Sequence, residues 1–238
     1  MAYNISVEEI TITAASTRAK YLSYLYEKLR AKFSFPKGDC EVETGSDYES
    51  VIFSVDETLS PYVRRYAEQN IADVIAIGYK YDYLDKRLSL PLLTDTQKRL
   101  LISALIAADF EEDREYALKR LRHDGGYSIE GFFNFRLGEL KRRWEGVLAY
   151  IPRQFGCAAL DDFVNFLVEE SDGKVYVKGG KVYDEGYRLL SRGKVFSWGN
   201  AVTEILLKGP SKVYCFGEVE APVKDFLNKY YREKVFFC

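Results

Sequence analysis

The sequence IEGFFNFRLGELKRRWEGVLAYI, residues 129–151, decides the fold of the middle of this chain. Its apolar residues recur at intervals of three and four, which places them along one face of an α-helix. Ser128 is a suitable N-terminal cap for that helix, and Pro152 ends it. We therefore predict one long amphipathic helix with a continuous apolar stripe. The stripe consists of Ile129, Phe133, Leu137, Leu140, Trp144, Val147 and Ile151.

Two polar residues near the start of this helix are candidates for ligand binding. Arg136 falls at the edge of the apolar stripe, and Asn134 lies on the other side of the helical wheel. A semi-buried guanidinium in the position of Arg136 is suited to bind a phosphate or carboxylate with two hydrogen bonds. The alternative, which we favour, is that Arg136 pairs with an acidic residue of a neighbouring helix, because a buried charge usually has an internal partner.

Helical patterns also occupy the segments on both sides of this helix. Pro61 suits the first turn of a helix that covers residues 60–88. A second helix is predicted to begin near residue 94, and a third, highly charged helix follows over residues 113–122. After the central helix, residues 158–170 predict a further amphipathic helix.

The N-terminal end of the chain has the pattern of a small β-α-β-β unit. Apolar and polar residues alternate over residues 5–13, as in a half-buried strand. Ser16 or Thr17 then caps a helix with apolar residues at helical spacing. Residues 41–43 and 51–55 predict the two strands of a hairpin.

The C-terminal end predicts a second small α/β unit. Gly179 and Gly180 tolerate positive backbone angles and separate two short strands, so we expect a tight hairpin at this dipeptide. Downstream of the hairpin, helices alternate with strands at a spacing that favours a βαβ unit. Val213 and Val235 are expected on neighbouring parallel strands of that unit.

Together these patterns predict an α+β protein with a central helical region, residues 58–172. It is flanked by the N-terminal α/β unit, residues 1–57, and by the C-terminal α/β unit, residues 173–238. A chain of 238 residues is long enough for several small domains or for one compact domain, and both arrangements stay open. We find no internal repeat in the sequence.

The composition narrows the classes of function. A net charge of −2 gives the whole chain no general attraction to nucleic acids or anionic membranes. The cysteines have no CxxC spacing, His123 is the only histidine, and glycine-rich phosphate loops are absent, so we expect neither metal nor cofactor. No apolar run reaches the length of a membrane span, and the N-terminal sequence lacks the features of a signal peptide. We therefore expect a cytoplasmic protein.

Two basic clusters lie on either side of the Gly125-Gly126 turn. Clustered lysines and arginines are typical of surfaces that bind nucleic acid, so these clusters form a candidate nucleic-acid patch. Acidic residues in the same segments weaken its field, and a solvated helix surface is the favoured interpretation. The patch consists of Lys119, Arg120, Arg122, Lys141, Arg142 and Arg143.

Three parts of the sequence together resemble a known family. They are IEGFFNFRL (residues 129–137), the helix upstream of it (residues 70–88), and a C-terminal segment (residues 206–238) that contains PSKVYCF and KVFFC. They resemble the YtxC-like sporulation proteins of endospore-forming bacteria. The resemblance implies a cytosolic protein associated with sporulation, without an established enzymatic activity or a known set of catalytic residues.

These observations lead to three hypotheses about function. The leading one is a non-enzymatic protein–protein interaction factor of the sporulation programme, because aromatic-rich helices occur without a nucleophile motif, a metal set or a nucleotide loop. The second is a nucleic-acid-binding protein that uses the basic patch. The third is a small-anion sensor or an unrecognised enzyme that binds its ligand through Asn134 and Arg136.

Overall fold

A computed structural model of the chain describes residues 7–33, 38–121, 126–196 and 201–238. Helices are interspersed with two small mixed sheets, so the predicted α+β class is confirmed. None of the helices in these ranges combines the length and the apolarity that a bilayer span requires.

The chain divides into two compact units that are not consecutive in sequence. The first unit comprises Met1–Tyr79 and Glu111–Arg143, and the second comprises Lys80–Phe110 and Trp144–Cys238. The three consecutive segments predicted from the sequence do not coincide with these units, because the central helical region is shared between them. Periodicity locates an element along the chain, but it carries no information about which distant elements pack together.

The first unit is built on a four-stranded sheet with the strand order β2-β3-β1-β4. β3 pairs antiparallel with both β1 and β2, which confirms the predicted hairpin. A short parallel pairing adds β4 next to β1, although the sequence did not predict this strand. The helix α1 packs on β1, β2 and β3. The bounds are β1 (Val7–Ala15), α1 (Ala19–Phe33), β2 (Gly38–Thr44), β3 (Tyr48–Asp56) and β4 (Tyr127–Ser128).

The helix predicted over residues 60–88 is present but irregular. It consists of α2 (Ser60–Asp73), a π-helical segment (Val74–Tyr79) and α3 (Lys80–Asp85). Every residue of the π-helical segment is buried. Wide π-helical turns change the direction in which side chains project, and they are frequent at functional positions.

The second and third predicted helices form one continuous helix in the structure, α4 (Asp95–Arg120). The prediction of a separate charged helix over residues 113–122 is therefore wrong within the described part of that range. The sequence changes there from apolar to charged, but neither proline nor glycine occurs between residues 95 and 120 to interrupt the backbone hydrogen bonds.

The central helix predicted over residues 129–151 is divided at Leu137, so the prediction of one continuous helix is wrong. α5 (Ile129–Arg136) ends where Leu137 leaves helical geometry (φ −110°, ψ 28°), and α6 (Gly138–Ala149) begins at the next residue. The predicted cap is confirmed, since Ser128 Oγ accepts a hydrogen bond from the Gly131 amide at 3.2 Å. Leu137 is itself fully buried, which fixes the position of the break.

The second unit contains α7 and a four-stranded sheet with the order β6-β5-β7-β8. β5, β7 and β8 are mutually parallel, and β6 forms the predicted hairpin with β5 through Gly179 and Gly180, both at positive φ. Val213 lies opposite Val235, which confirms the predicted βαβ unit. The bounds are α7 (Cys157–Glu169), β5 (Lys174–Lys178), β6 (Lys181–Tyr183), α8 (Ala201–Lys208), β7 (Lys212–Phe216), α9 (Ala221–Tyr230) and β8 (Val235–Phe237).

One face of this second sheet is apolar and buried. Val175 and Val177 of β5, with Val213 and Cys215 of β7, are at most 1% exposed. The helix α8 packs against β6, and α9 contacts both α7 and α8. The residues between these buried positions project to the opposite face, because side chains alternate along a strand.

Candidate functional site

The two candidate ligand residues, Asn134 and Arg136, lie at the exposed C-terminal end of α5. Phe135 between them is 88% exposed, which is unusual for a large aromatic side chain. We call residues 134–136 the α5 corner. Arg136 is exposed rather than semi-buried, because the break at Leu137 ends the helix before its stem can lie along the core.

The α5 corner stands on a well-anchored support. Phe132 and Phe133, immediately before it, are buried, and the ring centroid of Phe133 lies 4.8 Å from that of Tyr79. On the other side, Lys141 Nζ donates a hydrogen bond to the main-chain oxygen of Asn134 at 3.2 Å. Residues 129–137 therefore have a buried part, which fixes α5, and an exposed part, which is the α5 corner.

Around Tyr79 the first unit contains a buried polar cluster. The Tyr79 hydroxyl donates to Glu130 Oε1 at 2.5 Å, and Arg18 Nη1 lies 3.6 Å from the same oxygen. The Arg18 guanidinium also lies 4.1 Å from the centroid of the Tyr79 ring. Burial, reinforced by the hydrogen bond to Glu130, raises the pKa of Tyr79 far above its ordinary value. Tyr79 therefore stays a neutral donor that ties the start of α5 to the π-helical segment.

The sequence did not predict this cluster, because its members are 51 or more residues apart along the chain. The sequence analysis selected the segment IEGFFNFRL, which contains Glu130, but the sequence could not identify the partner of Glu130. No described group donates a hydrogen bond to its second, buried oxygen, Oε2. The cluster anchors the start of α5, because Arg18 and Glu130 contact each other and both contact Tyr79.

The structure places one arginine from each basic cluster of the candidate patch against the same aromatic ring, Tyr116. The guanidinium of Arg120 lies 4.3 Å from the centroid of Tyr116, and that of Arg143 lies 4.8 Å from it. Arg122, like His123, lies outside the described residues. The remaining described members, Lys119, Lys141 and Arg142, make other contacts, and the candidate patch as a whole stays a prediction.

Several residues of the candidate patch lie within ion-pair distance of carboxylates on the same surface. Lys119 forms an ion pair with Glu115 at 2.7 Å, and Arg142 forms one with Glu139 at 2.6 Å. Arg143 lies 3.7 Å from the carboxylate of the buried Asp113. These neighbouring acids reduce the positive field that a polyanion would meet.

The outward face of the second sheet carries a row of aromatic side chains, one from each strand. Tyr176 of β5 is directly opposite Tyr183 of β6 and Tyr214 of β7, and Tyr214 is directly opposite Phe236 of β8. We call these residues, Tyr183, Tyr176, Tyr214 and Phe236, the aromatic row. The ring centroids of Tyr176 and Tyr214 are 5.7 Å apart, and those of Tyr214 and Phe236 are 4.9 Å apart and nearly parallel.

A loop adds one more ring to the aromatic row. Tyr187 stacks on Tyr176 with centroids 4.4 Å apart and planes 6° apart, and it is 66% exposed. Its backbone has a positive φ of 57°, which is costly for a residue with a side chain. The Asp184 carboxylate holds this loop by accepting hydrogen bonds from the amides of Gly186 and Arg188 and from Arg188 Nε. Beside the stack, a pocket of about 430 Å³ is lined by Tyr176, Lys178, Tyr183, Tyr187 and Phe216.

Lysines border the aromatic row on both sides. Lys174 is directly opposite Lys212 on one side, and Lys178 is directly opposite Lys181 on the other. Like charges directly opposite each other destabilise a sheet, so this pattern has a cost for folding. A hydrogen bond with Tyr176 raises the pKa of Lys174 above its ordinary value, which keeps this lysine protonated.

A sequence signal for this face exists. The triplet lysine–valine–aromatic lies within β5, β6 and β7, at residues 174–176, 181–183 and 212–214. A fourth copy, at residues 234–236, overlaps the start of β8. The triplet also occurs at residues 194–196, where no strand forms. The expectation that the sequence holds no internal repeat is therefore too strong, because a three-residue repeat at unequal spacing escapes a search for longer periods.

Protein-family models, curated proteins and solved structures were all compared with the chain, and none matches it. The assignment of function accordingly depends on the residues and geometry described above.

Proposed function

We propose that this protein is a non-enzymatic protein–protein interaction factor, and that the α5 corner is the surface that meets its protein partner. The observation that carries the proposal is the 88% exposure of Phe135 between Asn134 and Arg136. Aromatic residues and arginine are enriched among the few residues that contribute most of the binding energy in protein interfaces. The α5 corner presents an aromatic residue of this kind, Phe135, next to an arginine of this kind, Arg136.

Rigidity of the α5 corner supports the same proposal. A binding residue that is already ordered loses little conformational entropy when it binds. α5 is capped at its start by Ser128, tied to Tyr79 through Glu130, and ended by the buried Leu137. Phe135 is thus held on a short fixed helix.

Neither the buried thiol of Cys215 nor the half-buried thiol of Cys40 is suited to nucleophilic catalysis. Burial is the main cause that raises the pKa of Cys215 to about 11, and burial together with Asp39 raises that of Cys40 to about 12. Thiols with such pKa values stay protonated near neutral pH, and the protonated form is a poor nucleophile.

The biological setting of the proposal comes from the resemblance to the YtxC-like sporulation proteins. It supports a role in the sporulation programme and a cytoplasmic location. The resemblance includes IEGFFNFRL, residues 129–137, and thus the α5 corner itself. A surface shared with that family is a reasonable place for a shared partner to bind.

The proposal is tested by replacing the exposed residues of the α5 corner and keeping its anchors. Phe135→Ala with Arg136→Ala should remove a specific partner from pull-downs of sporulating cells. The recovered partner, once purified, should bind the double variant at least about tenfold more weakly, as expected for a loss of hot-spot residues. Tyr150→Ala is the matched control, because Tyr150 is another highly exposed aromatic, at 90% exposure.

Thermal unfolding should show the same midpoint for wild type, double variant and control. If the purified partner binds the double variant as tightly as the wild type, the α5 corner is not the interface. If instead a metabolite binds saturably and protects the protein, the interaction-factor proposal fails.

A further inference from the structure

We propose that the outward face of the second sheet binds single-stranded nucleic acid, with bases stacked on the aromatic row and phosphates held by the bordering lysines. This inference is independent of the α5 corner and of its protein partner. It also differs from the predicted basic patch, because it places the nucleic acid on β5, β6, β7 and β8.

The aromatic row has the geometry of a stacking surface. Its rings come from adjacent strands at the same register, and the centroids of Tyr176, Tyr214 and Phe236 follow one another at 5.7 and 4.9 Å. The end rings of the stack, Tyr187 and Phe236, are 66% and 40% exposed. A base can continue the stack at either end without displacing a side chain from the core. Stacking on aromatic rings is the usual way in which proteins hold unpaired bases.

The pocket beside the stack is an open depression that offers a position for one base. Its volume of about 430 Å³ lies within the range of roughly 300–1,000 Å³ typical of small-ligand pockets. Tyr176 and Tyr187 form an aromatic wall, and Lys178 supplies a positive charge at its edge. One nucleotide therefore finds a ring surface and a phosphate partner in the same place.

The lysines identify the ligand as an anion. Lys174 opposite Lys212 and Lys178 opposite Lys181 are repulsive pairs, and they stand on the two sides of one aromatic row. An anionic polymer that runs across the strands would relieve both repulsions. A neutral polysaccharide could stack on the rings but would leave the lysine pairs uncompensated. Flat unpaired bases joined by phosphates match both features.

Acidic residues near this face also take part in its local structure, and the pKa of Lys174, which its hydrogen bond with Tyr176 raises, is raised further by the nearby Glu185. The Asp184 carboxylate accepts hydrogen bonds from Gly186 and Arg188. Glu185 accepts a hydrogen bond from the Lys174 amide. Both carboxylates thus have local structural roles in the loop that presents Tyr187.

The inference is tested with the full chain and fluorescein-labelled oligonucleotides, dT12 and U12, by fluorescence anisotropy. Saturable binding is expected, and the logarithm of the affinity should fall with the logarithm of salt concentration with a slope of about −2 to −3, as for three to four phosphate contacts. The matching duplex should bind more weakly, because its bases are not free to stack.

The variants separate stacking from charge. Tyr176→Ala and Tyr214→Ala should each weaken binding by about 5- to 150-fold, whereas Tyr214→Phe should retain it because the ring remains. Lys178→Ala should weaken binding and make the salt slope less negative by about 0.7. Lys86→Ala is the matched control for Lys178→Ala, and Tyr150→Ala is the matched control for the two ring variants. All of these positions lie in the second unit.

Four results would overturn the inference. The first is that neither oligonucleotide binds saturably at about 50 mM salt, a low salt concentration at which phosphate contacts are strong. The second is that the ring variants leave binding unchanged. The third is that heparin, which has charge but no bases, binds equally tightly, and the fourth is that a neutral oligosaccharide binds instead. Binding is measured at a temperature well below the unfolding midpoint of each variant, because Tyr214→Ala is itself expected to lower the stability. Phe135→Ala should leave nucleic-acid binding unchanged, so this test and that of the α5 corner can fail separately.

Discussion

The two sheets of this protein have similar inward faces and different outward faces. In the first sheet, Ile12 of β1 and Val51 of β3 are buried, as Val175 and Val213 are in the second. The outward positions of β1 and β3 are mixed: they include threonines and serines, with Thr13 Oγ1 3.1 Å from Ser50 Oγ, as well as Ile52 and Tyr48. The outward face of the second sheet carries the aromatic row and its lysines. Folding constrains the inward face of a sheet, so the outward face is where a specific function can be placed.

Tyrosines at inward and outward positions have different roles in this protein. In the first unit, Tyr21 and Tyr79 are buried and donate to internal acceptors, the Gly78 carbonyl and the Glu130 carboxylate. In the second sheet, Tyr176 and Tyr214 project outward and contact other rings. Buried tyrosine hydroxyls need fixed partners and therefore contribute to stability. Outward-facing rings remain available for recognition.

The largest expected effect separates the inward from the outward positions. Phe53→Ala, on the buried face of β3, should lower the free energy of unfolding by about 3–5 kcal/mol, because it leaves a cavity. Tyr214→Ala should cost less, about 1–3 kcal/mol for its two aromatic pairs with Tyr176 and Phe236. Chemical denaturation of both variants gives the comparison. Equal losses would mean that the aromatic row belongs to the core, and the contrast between the two outward faces would disappear.

A smaller effect tests the inward use of tyrosine. Tyr79→Phe removes the donor to Glu130 but keeps the ring, so we expect a loss of about 1.5–3 kcal/mol, as for a hydrogen bond to a charged group. Tyr62→Phe, at an exposed position of the first unit, should change stability by less than ~0.5 kcal/mol. Denaturation at neutral pH measures both. An equal, small change in both variants would contradict the anchoring role of the Tyr79 cluster.

The same cluster predicts a dependence on alkaline pH. Burial and Glu130 raise the pKa of Tyr79 in the folded state, while an unfolded tyrosine titrates near pH ~10. The stabilisation is therefore fully present below pH ~10 and is lost as the pH rises above it. Between pH 9 and 11, on the order of one unit to either side of that value, Tyr79→Phe should lose less stability than the wild type. A parallel decline of the two proteins would show that other groups dominate.

The smallest effect concerns the lysines of the second sheet. Lys212→Glu replaces a repulsive pair with an attractive one opposite Lys174, so stability should rise by about 0.2–1 kcal/mol. The same change should weaken nucleic-acid binding, since it removes a phosphate contact. Lys86→Glu serves as the control, because Lys86 is exposed and lies outside the strands. A variant that is less stable than the wild type would contradict the proposed repulsion.

Local patterns predicted much of the fold because they depend on neighbours in sequence. The hairpin at Gly179-Gly180, the parallel pairing of Val213 with Val235 and the Ser128 cap follow from turn geometry, strand spacing and capping chemistry. The break at Leu137 was missed, because the apolar stripe continues across it and only the following Gly138 weakens the helix.

The candidate sites were harder to predict because they are tertiary. Arg136 and Asn134 were identified as candidates, but whether they were buried depended on where α5 ends. The aromatic row depends on strand register, and no single strand shows that four separate lysine–valine–aromatic triplets come into line. The buried pair of Tyr79 and Glu130 depends on packing between segments 51 residues apart.

The sequence by itself determined the α+β class, most of the helices and strands, and which residues face inward along each of them, because these follow from periodicity and backbone chemistry. Only the tertiary structure decided that Phe135 projects into solvent, that Lys119, Arg142 and Arg143 of the basic patch lie beside acids, and that one aromatic ring from each strand of the second sheet shares one face. These properties arise from contacts between distant segments, and a one-dimensional pattern does not record such contacts.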